Sequence, residues 1–278
     1  PNDSVAIANY FQERNVRIVD AIGLRDFVRN SIIECVAHRK IVVFSQDVVP
    51  DTICDHPGSD TLIREYLDSG GNILWIGDIP LYYIGNSRIK DTRQLIQAWR
   101  YGAPVYILGI IPIFSSTMRS INLKQLGRNL GLHHHWTSMR PVLKDKTITP
   151  LATIDNIGSD YYINVPKAPG KLDRFWRRLR RVKSVDVAGF GVAVTPPQET
   201  EPLTRMYPLQ PERRAQEYRK STLYETHIAA WIKKYNEDFP YSGFTRIWDY
   251  RPREMPNWML EELYNFSQGL AWRINGIS

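Results

Sequence analysis

At 278 residues, with 43% hydrophobic and 23% charged content, the chain has the composition of an ordinary globular protein with material for a sizeable core. Its longest apolar run, Val105–Phe114, is far short of the ~20 residues a membrane-spanning helix needs, so no membrane partner is expected. A net charge of +7 and a pI near 9.3 keep an acidic or phosphate-bearing partner in view. The two cysteines, Cys35 and Cys54, give neither a disulfide framework nor metal-ligand spacing, which suits a reducing cytoplasmic setting.

In chain order, Val5–Glu13 reads as a helix and Val16–Val19 as a strand. A second helix is predicted over Leu24–His38, with Leu24, Phe27, Val28, Ile32 and Cys35 at i, i+3, i+4 spacing and Cys35 packed as a small apolar residue. Strand Ile41–Phe44 follows, and Val49-Pro50-Asp51 breaks the chain. Ser59 or Asp60 can cap a helix over Thr61–Leu67 that ends at Ser69-Gly70-Gly71, because glycine tolerates the left-handed conformation of a helix C-terminus. Strand Ile73–Ile76 comes next, then an aromatic stretch, Leu81-Tyr82-Tyr83-Ile84-Gly85.

Further helices are predicted over Thr92–Arg100 and Asn122–Leu132, flanking the apolar run Val105–Phe114. His133-His134-His135-Trp136 and an extended Arg140-Pro141-Val142 follow. About 150–220 the character changes to an irregular basic insertion. It holds Tyr161–Val165, the cationic stretch Arg174–Lys183, a strand at Val187–Val194 and a proline-rich segment, Pro196–Pro211. Order returns with a helix over Thr222–Lys234, a strand over Phe244–Trp248 and a helix over Pro256–Phe266. There is no internal repeat, and one domain over 1–278 with an insertion is the economical organisation.

Near-continuous apolar runs alternating with amphipathic stretches are the pattern of a parallel sheet buried on both faces. The expected fold is therefore α/β: a doubly wound, mostly parallel, flavodoxin-like sheet with helices on both faces. Four of the strand-like runs lead to an aspartate, at Asp20, Asp47, Asp78 and Asp249. Open parallel sheets bind ligands outside the carboxyl ends of their strands, so these carboxylates are the first candidate site. Converging carboxylates can hold Mg²⁺, accept hydroxyls, or share a proton as acid and base. An aspartate after a strand also commonly caps the next helix or starts a turn.

Asp78 leads, because Pro80 follows and Tyr82 and Tyr83 can wall a pocket and stack on a sugar or base; Asp47 is second. Arg140 and Arg246 can anchor an anion or pair with a neighbouring aspartate. Adjacent histidines cannot all face one ion. His133 and His135 can pair on an extended strand, but a surface or partly buried turn after Leu132 is the expected reading. A lone imidazole there, such as His135, can act as a base or phosphate contact. Gly189-Phe190-Gly191 lacks the third glycine of a dinucleotide loop and precedes a strand instead of following one. Phe175-Trp176-Arg177-Arg178-Leu179-Arg180-Arg181 suits an amphipathic helix first and an anionic or nucleic-acid partner second.

At Leu62–Pro80 (LIREYLDSGGNILWIGDIP), and more loosely over Tyr10–Pro50, the chain resembles the class I glutamine-amidotransferase-like superfamily. That group includes ThuA-like proteins and the amidotransferase-like domain of some β-galactosidases. The likeness covers about the first 140 residues and implies a flavodoxin-like fold. Working members carry a cysteine in a strand-to-helix elbow, backed by a histidine and a glutamate; here that turn reads Gly77-Asp78-Ile79-Pro80, without a thiol. Covalent catalysis needs that nucleophile, so glutamine hydrolysis is not expected. The expected function is a ligand-binding or regulatory module. It takes a sugar or nucleotide through Asp20, Tyr82, Tyr83, His135, Arg140 and Asp249, without a resident cofactor beyond a weak Mg²⁺ option. One alternative is a glycosidic or N-glycosidic hydrolase using Asp78 and Asp47. Another is a homo-oligomer or part of a larger chain meeting an acidic protein or nucleic acid through 174–183.

Overall fold

The structure, a computed structural model, describes residues 2–87, 95–97, 102–115, 118–154, 161–163, 227–249 and 255–276. Helices α1 (Asn2–Gln12) and α2 (Ala21–Ile33) lead through a short turn of 3-10 helix to strands β1 (Ile41–Val43) and β2 (Val48–Pro50). Then come α3 (Leu62–Asp68), β3 (Asn72–Trp75), β4 (Tyr83–Gly85), β5 (Leu95–Gln97), α4 (Ala103–Leu108) and β6 (Ile113–Ser115). The next elements are β7 (Arg119–Ser120), β8 (Asn122–Leu123), α5 (Gln125–Asn129), β9 (Thr137–Ser138), β10 (Ile148–Ile154) and β11 (Tyr161–Ile163). The described part closes with β12 (His227–Lys233), β13 (Phe244–Arg246) and the long helix α6 (Asn257–Ile274).

The principal sheet has six strands in the order β1-β3-β13-β12-β10-β8. Its first three strands run parallel, and the other three continue it antiparallel. The fold is thus α/β with a mixed sheet. Every residue of β3 is buried, as a strand covered on both faces requires. Alternation along it separates two cores: Leu74 joins Ile7 and Phe11 of α1 and Met259, Leu263 and Phe266 of α6, while Ile73 and Trp75 join Val28 of α2, Ile63, Tyr66 and Leu67 of α3, and Ile107 of α4. Helices therefore cover both faces. Trp75, Phe244 and Trp231 run side by side across three strands, with ring centroids 6.1 and 5.6 Å apart. Each fully buried side chain of this kind contributes roughly 2–3 kcal/mol of transfer free energy.

The start of β3 is pinned sideways by Asn72. Its Nδ2 donates to the carbonyls of His38 and Lys40 at 3.1 Å, and its Oδ1 accepts from the Gly243 N–H at 3.2 Å. This buried amide ties both neighbouring strands to one register. Gly70, at φ +82°, ends α3 as expected, and the Gly71 N–H closes onto the Tyr66 carbonyl at 2.8 Å.

Several expectations fail for identifiable reasons. Thr222–Lys234 reads as a helix on the spacing of Ile228, Trp231 and Ile232, yet residues 227–233 form β12, with all seven buried. Ala229 and Ala230 are as buried as the large residues between which they sit, so no solvent face exists. Within Thr92–Arg100, residues 95–97 are strand β5, antiparallel to β4. Val16–Val19 forms no strand; Arg17 and Ile18 are exposed and β1 stays the sheet edge. Val49-Pro50 does not break the chain but completes β2, parallel to β4; Pro50 is tolerated because β2 is an edge strand of a three-stranded sheet.

The helix expected over Asn122–Leu132 shortens to α5, and Thr61, instead of Ser59 or Asp60, takes the cap position of α3. Cys35 lies beyond α2, exposed, at φ +55°, and is not packed in the core. Most of the basic insertion, including 174–183, 187–194, Gly189-Phe190-Gly191 and 196–211, lies outside the described residues. Among the described residues no helix is long and apolar enough to cross a membrane.

Candidate functional site at the carboxyl edge of the sheet

Because β1, β3 and β13 are parallel neighbours, their carboxyl ends share one edge. Arg246 stands in register with Trp75, and the Gly77 N–H still reaches the Trp248 carbonyl at 3.0 Å. Asp78 and Asp249 therefore leave the sheet at the same level. Asp47 follows β1 at the same edge.

Asp249 is 7% exposed, and its Oδ2 accepts from Ser138 Oγ at 2.6 Å, the Met139 N–H at 2.7 Å and the Arg140 N–H at 2.8 Å. Arg246, 0% exposed, donates through Nη1 to the Arg140 carbonyl at 2.6 Å and through Nη2 to the Gly77 carbonyl at 3.4 Å. Arg246 at the end of β13 and Asp249 just beyond it thus grip the backbone of Arg140 through its C=O and N–H, and Arg246 also holds the peptide before Asp78. Burial lowers the pKa of Arg246, while Asp249 and then Asp78 favour its charge and Arg140 opposes it. Among the described residues, Asp249 Oδ1 and Arg246 Nε find no hydrogen-bond partner.

The side chains thereby aligned are Asp78, 42% exposed, and Arg140, 27% exposed, with Oδ1 and Nε 3.6 Å apart. Asp78 is fixed twice: Oδ1 accepts the Ile79 N–H at 2.7 Å, and its carbonyl accepts Trp75 Nε1 at 3.2 Å. Tyr83 lies next to this group. Burial pushes its phenol above the usual value, and the charges of Asp78 and then Asp47 push it further, so it stays a neutral hydroxyl. The Tyr82 ring meets Tyr83 edge-on, with centroids 4.6 Å apart. Chemically, the edge offers a carboxylate acceptor, a guanidinium donor and a phenol that does both.

Asp47, Asp78, Tyr82, Tyr83 and Arg140 therefore come together with Arg246 beneath. Asp249 belongs to the same edge, buried there with Oδ2 anchoring residues 138–140. Asp20 is not part of it: it is the exposed N-cap of α2, its Oδ1 accepting the Gly23 N–H at 2.7 Å. His135 is exposed and makes no hydrogen bond among the described residues. Its neighbour His134 instead joins buried Glu262 of α6, which also accepts the His133 N–H at 3.1 Å. Sequence reasoning missed Ser138 and Glu262; the signal for Glu262 is an acid between Met259 and Leu263 on the apolar stripe of α6. Among the described residues, no three His, Cys, Asp or Glu side chains group as metal ligands would.

The profile of the MJECL34 family matches residues 1–163, more than half of the chain and all of the edge except β13. A relative from Methanocaldococcus jannaschii, named uncharacterized protein MJECL34, is 35% identical over 130 residues, covering 42% of this chain and 41% of that protein. The chain thus matches about two fifths of that relative's length. No solved structure matches. The chain belongs to the MJECL34 family.

Proposed function

We propose that this chain is a ligand-binding or regulatory module of the cytoplasm that takes a small polar ligand, a sugar or nucleotide, at the carboxyl edge formed by β1, β3 and β13. One observation carries the reading: buried Arg246 holds the backbone on both sides of the rim, so the Asp78–Arg140 pair is set in place before any ligand arrives. Pre-set polar groups at the carboxyl ends of parallel strands are where α/β folds bind ligands. In this reading the parallel half derives from a doubly wound, flavodoxin-like sheet of amidotransferase-like type that lacks the nucleophilic thiol.

The test is a thermal-shift panel of sugars, nucleosides and nucleotides against the full chain. Stabilisation by one class, lost in Asp78→Asn, supports the reading; no shift with any class overturns it. Turnover of a glycosidic substrate that vanishes in Asp47→Asn/Asp78→Asn would replace binding by hydrolysis at the same edge.

A further inference from the structure

The Asp78–Arg140 pair carries information about the charge of what binds. Asp78 is held in place by two contacts: its Oδ1 accepts the Ile79 N–H and its backbone carbonyl accepts Trp75 Nε1. Its Oδ2 makes no hydrogen bond among the described residues, and the side chain is 42% exposed. An anion that approaches the Nε side of Arg140 therefore meets a carboxylate whose Oδ1 is 3.6 Å from that nitrogen. Asp47 adds charge of the same sign around Tyr83. A hydroxyl meets no such conflict: it donates to Asp78 and accepts from Arg140.

We infer that the ligand of this edge is an uncharged polyhydroxy compound, a sugar or a nucleoside without phosphate, whose neighbouring hydroxyls bridge Asp78 and Arg140 beside Tyr83. The inference rests on the edge-binding reading above and narrows it. Tyr83 keeps its proton, so it adds a further hydroxyl donor and a half-buried ring without adding charge. Discrimination by a carboxylate at short range has a known scale: a like-charge contact costs enough to change affinity by about tenfold or more.

Calorimetric titration of the full chain with two matched pairs, adenosine with AMP and glucose with glucose 6-phosphate, tests it. In at least one pair the unphosphorylated member binds about tenfold tighter. Asp78→Asn weakens that member by a similar factor and narrows the gap within the pair, while its melting temperature shows that it folds. Pairs in which the phosphorylated member always binds as tightly or more tightly overturn the inference, and leave the edge reading standing if Asp78→Asn still alters their binding. Silence from all four compounds overturns the inference as well; the edge reading falls with it only if the wider panel is silent too.

Discussion

The guanidinium of Arg246 hydrogen-bonds the peptide carbonyl of Arg140, so one fully buried arginine carries the backbone of a second whose side chain stands at the rim. Arg246→Met keeps much of the volume but leaves the carbonyls of Arg140 and Gly77 without their donor. Losing a buried charged donor costs about 2–4 kcal/mol, which urea unfolding will register. Arg246→Lys retains the charge but lacks the fork that reaches two carbonyls, and falls between wild type and Arg246→Met.

Asp249 is predicted to matter more than the hydroxyl it holds. Ser138→Ala removes one of three donors to Oδ2 and costs about 1 kcal/mol. Asp249→Ala removes the acceptor of all three and costs about 3 kcal/mol. Equal losses in the two variants, measured by chemical denaturation, would contradict the anchoring role.

Two separate pH windows follow from half-buried Asp145 and buried His227. Burial pushes Asp145 up, but hydrogen bonds from Thr147 and Lys233 and the charge of Lys233 outweigh it and hold the carboxyl below its usual 3.8. Its contribution is full above that value and lost as pH falls through the lower folded-state pKa. The stability gap between wild type and Asp145→Asn should shrink only at acid pH. His227 in β12 is held below 6.5 by burial. Its contribution is present above 6.5 and lost as pH falls towards the folded value, so His227→Gln flattens the pH profile just below 6.5. A profile unchanged by either substitution would oppose these assignments.

Gly243 opens β13 at φ +141°, where an added Cβ would lie 2.0 Å from the Lys233 carbonyl oxygen. Gly243→Ala is predicted to cost about 3 kcal/mol or more through backbone displacement at the centre of the sheet. A thermal melt within a degree or two of wild type would refute this.

The legible parts of the fold were those with one reading. Ile73–Ile76 is an apolar run bounded by Gly70-Gly71 and Gly77-Asp78, and the strand (observed over Asn72–Trp75), its direction and its edge all followed. His227–Lys233 had two readings, since two large residues on one face and one on the other mimic helical spacing when alanines fill the gaps. Asp20 satisfies the rule that an aspartate ends an apolar run, but it serves as a cap because Val16–Val19 finds no strand partner. Asp47, Asp78 and Asp249 share an edge because three strands are parallel neighbours. The burial of Asp249 depended on the loop from Ser138 to Arg140, which lies 109–111 residues away in sequence. No local pattern announces such a partner.

Hydrogen–deuterium exchange of the full chain, with and without a stabilising ligand from the panel, tests the edge most directly. Protection should rise in the segments around Gly77–Gly85 and Ser138–Val142, and the change should vanish in Asp78→Asn. Protection confined to other segments, with these two unchanged, would contradict a ligand site at the ends of β3 and β13.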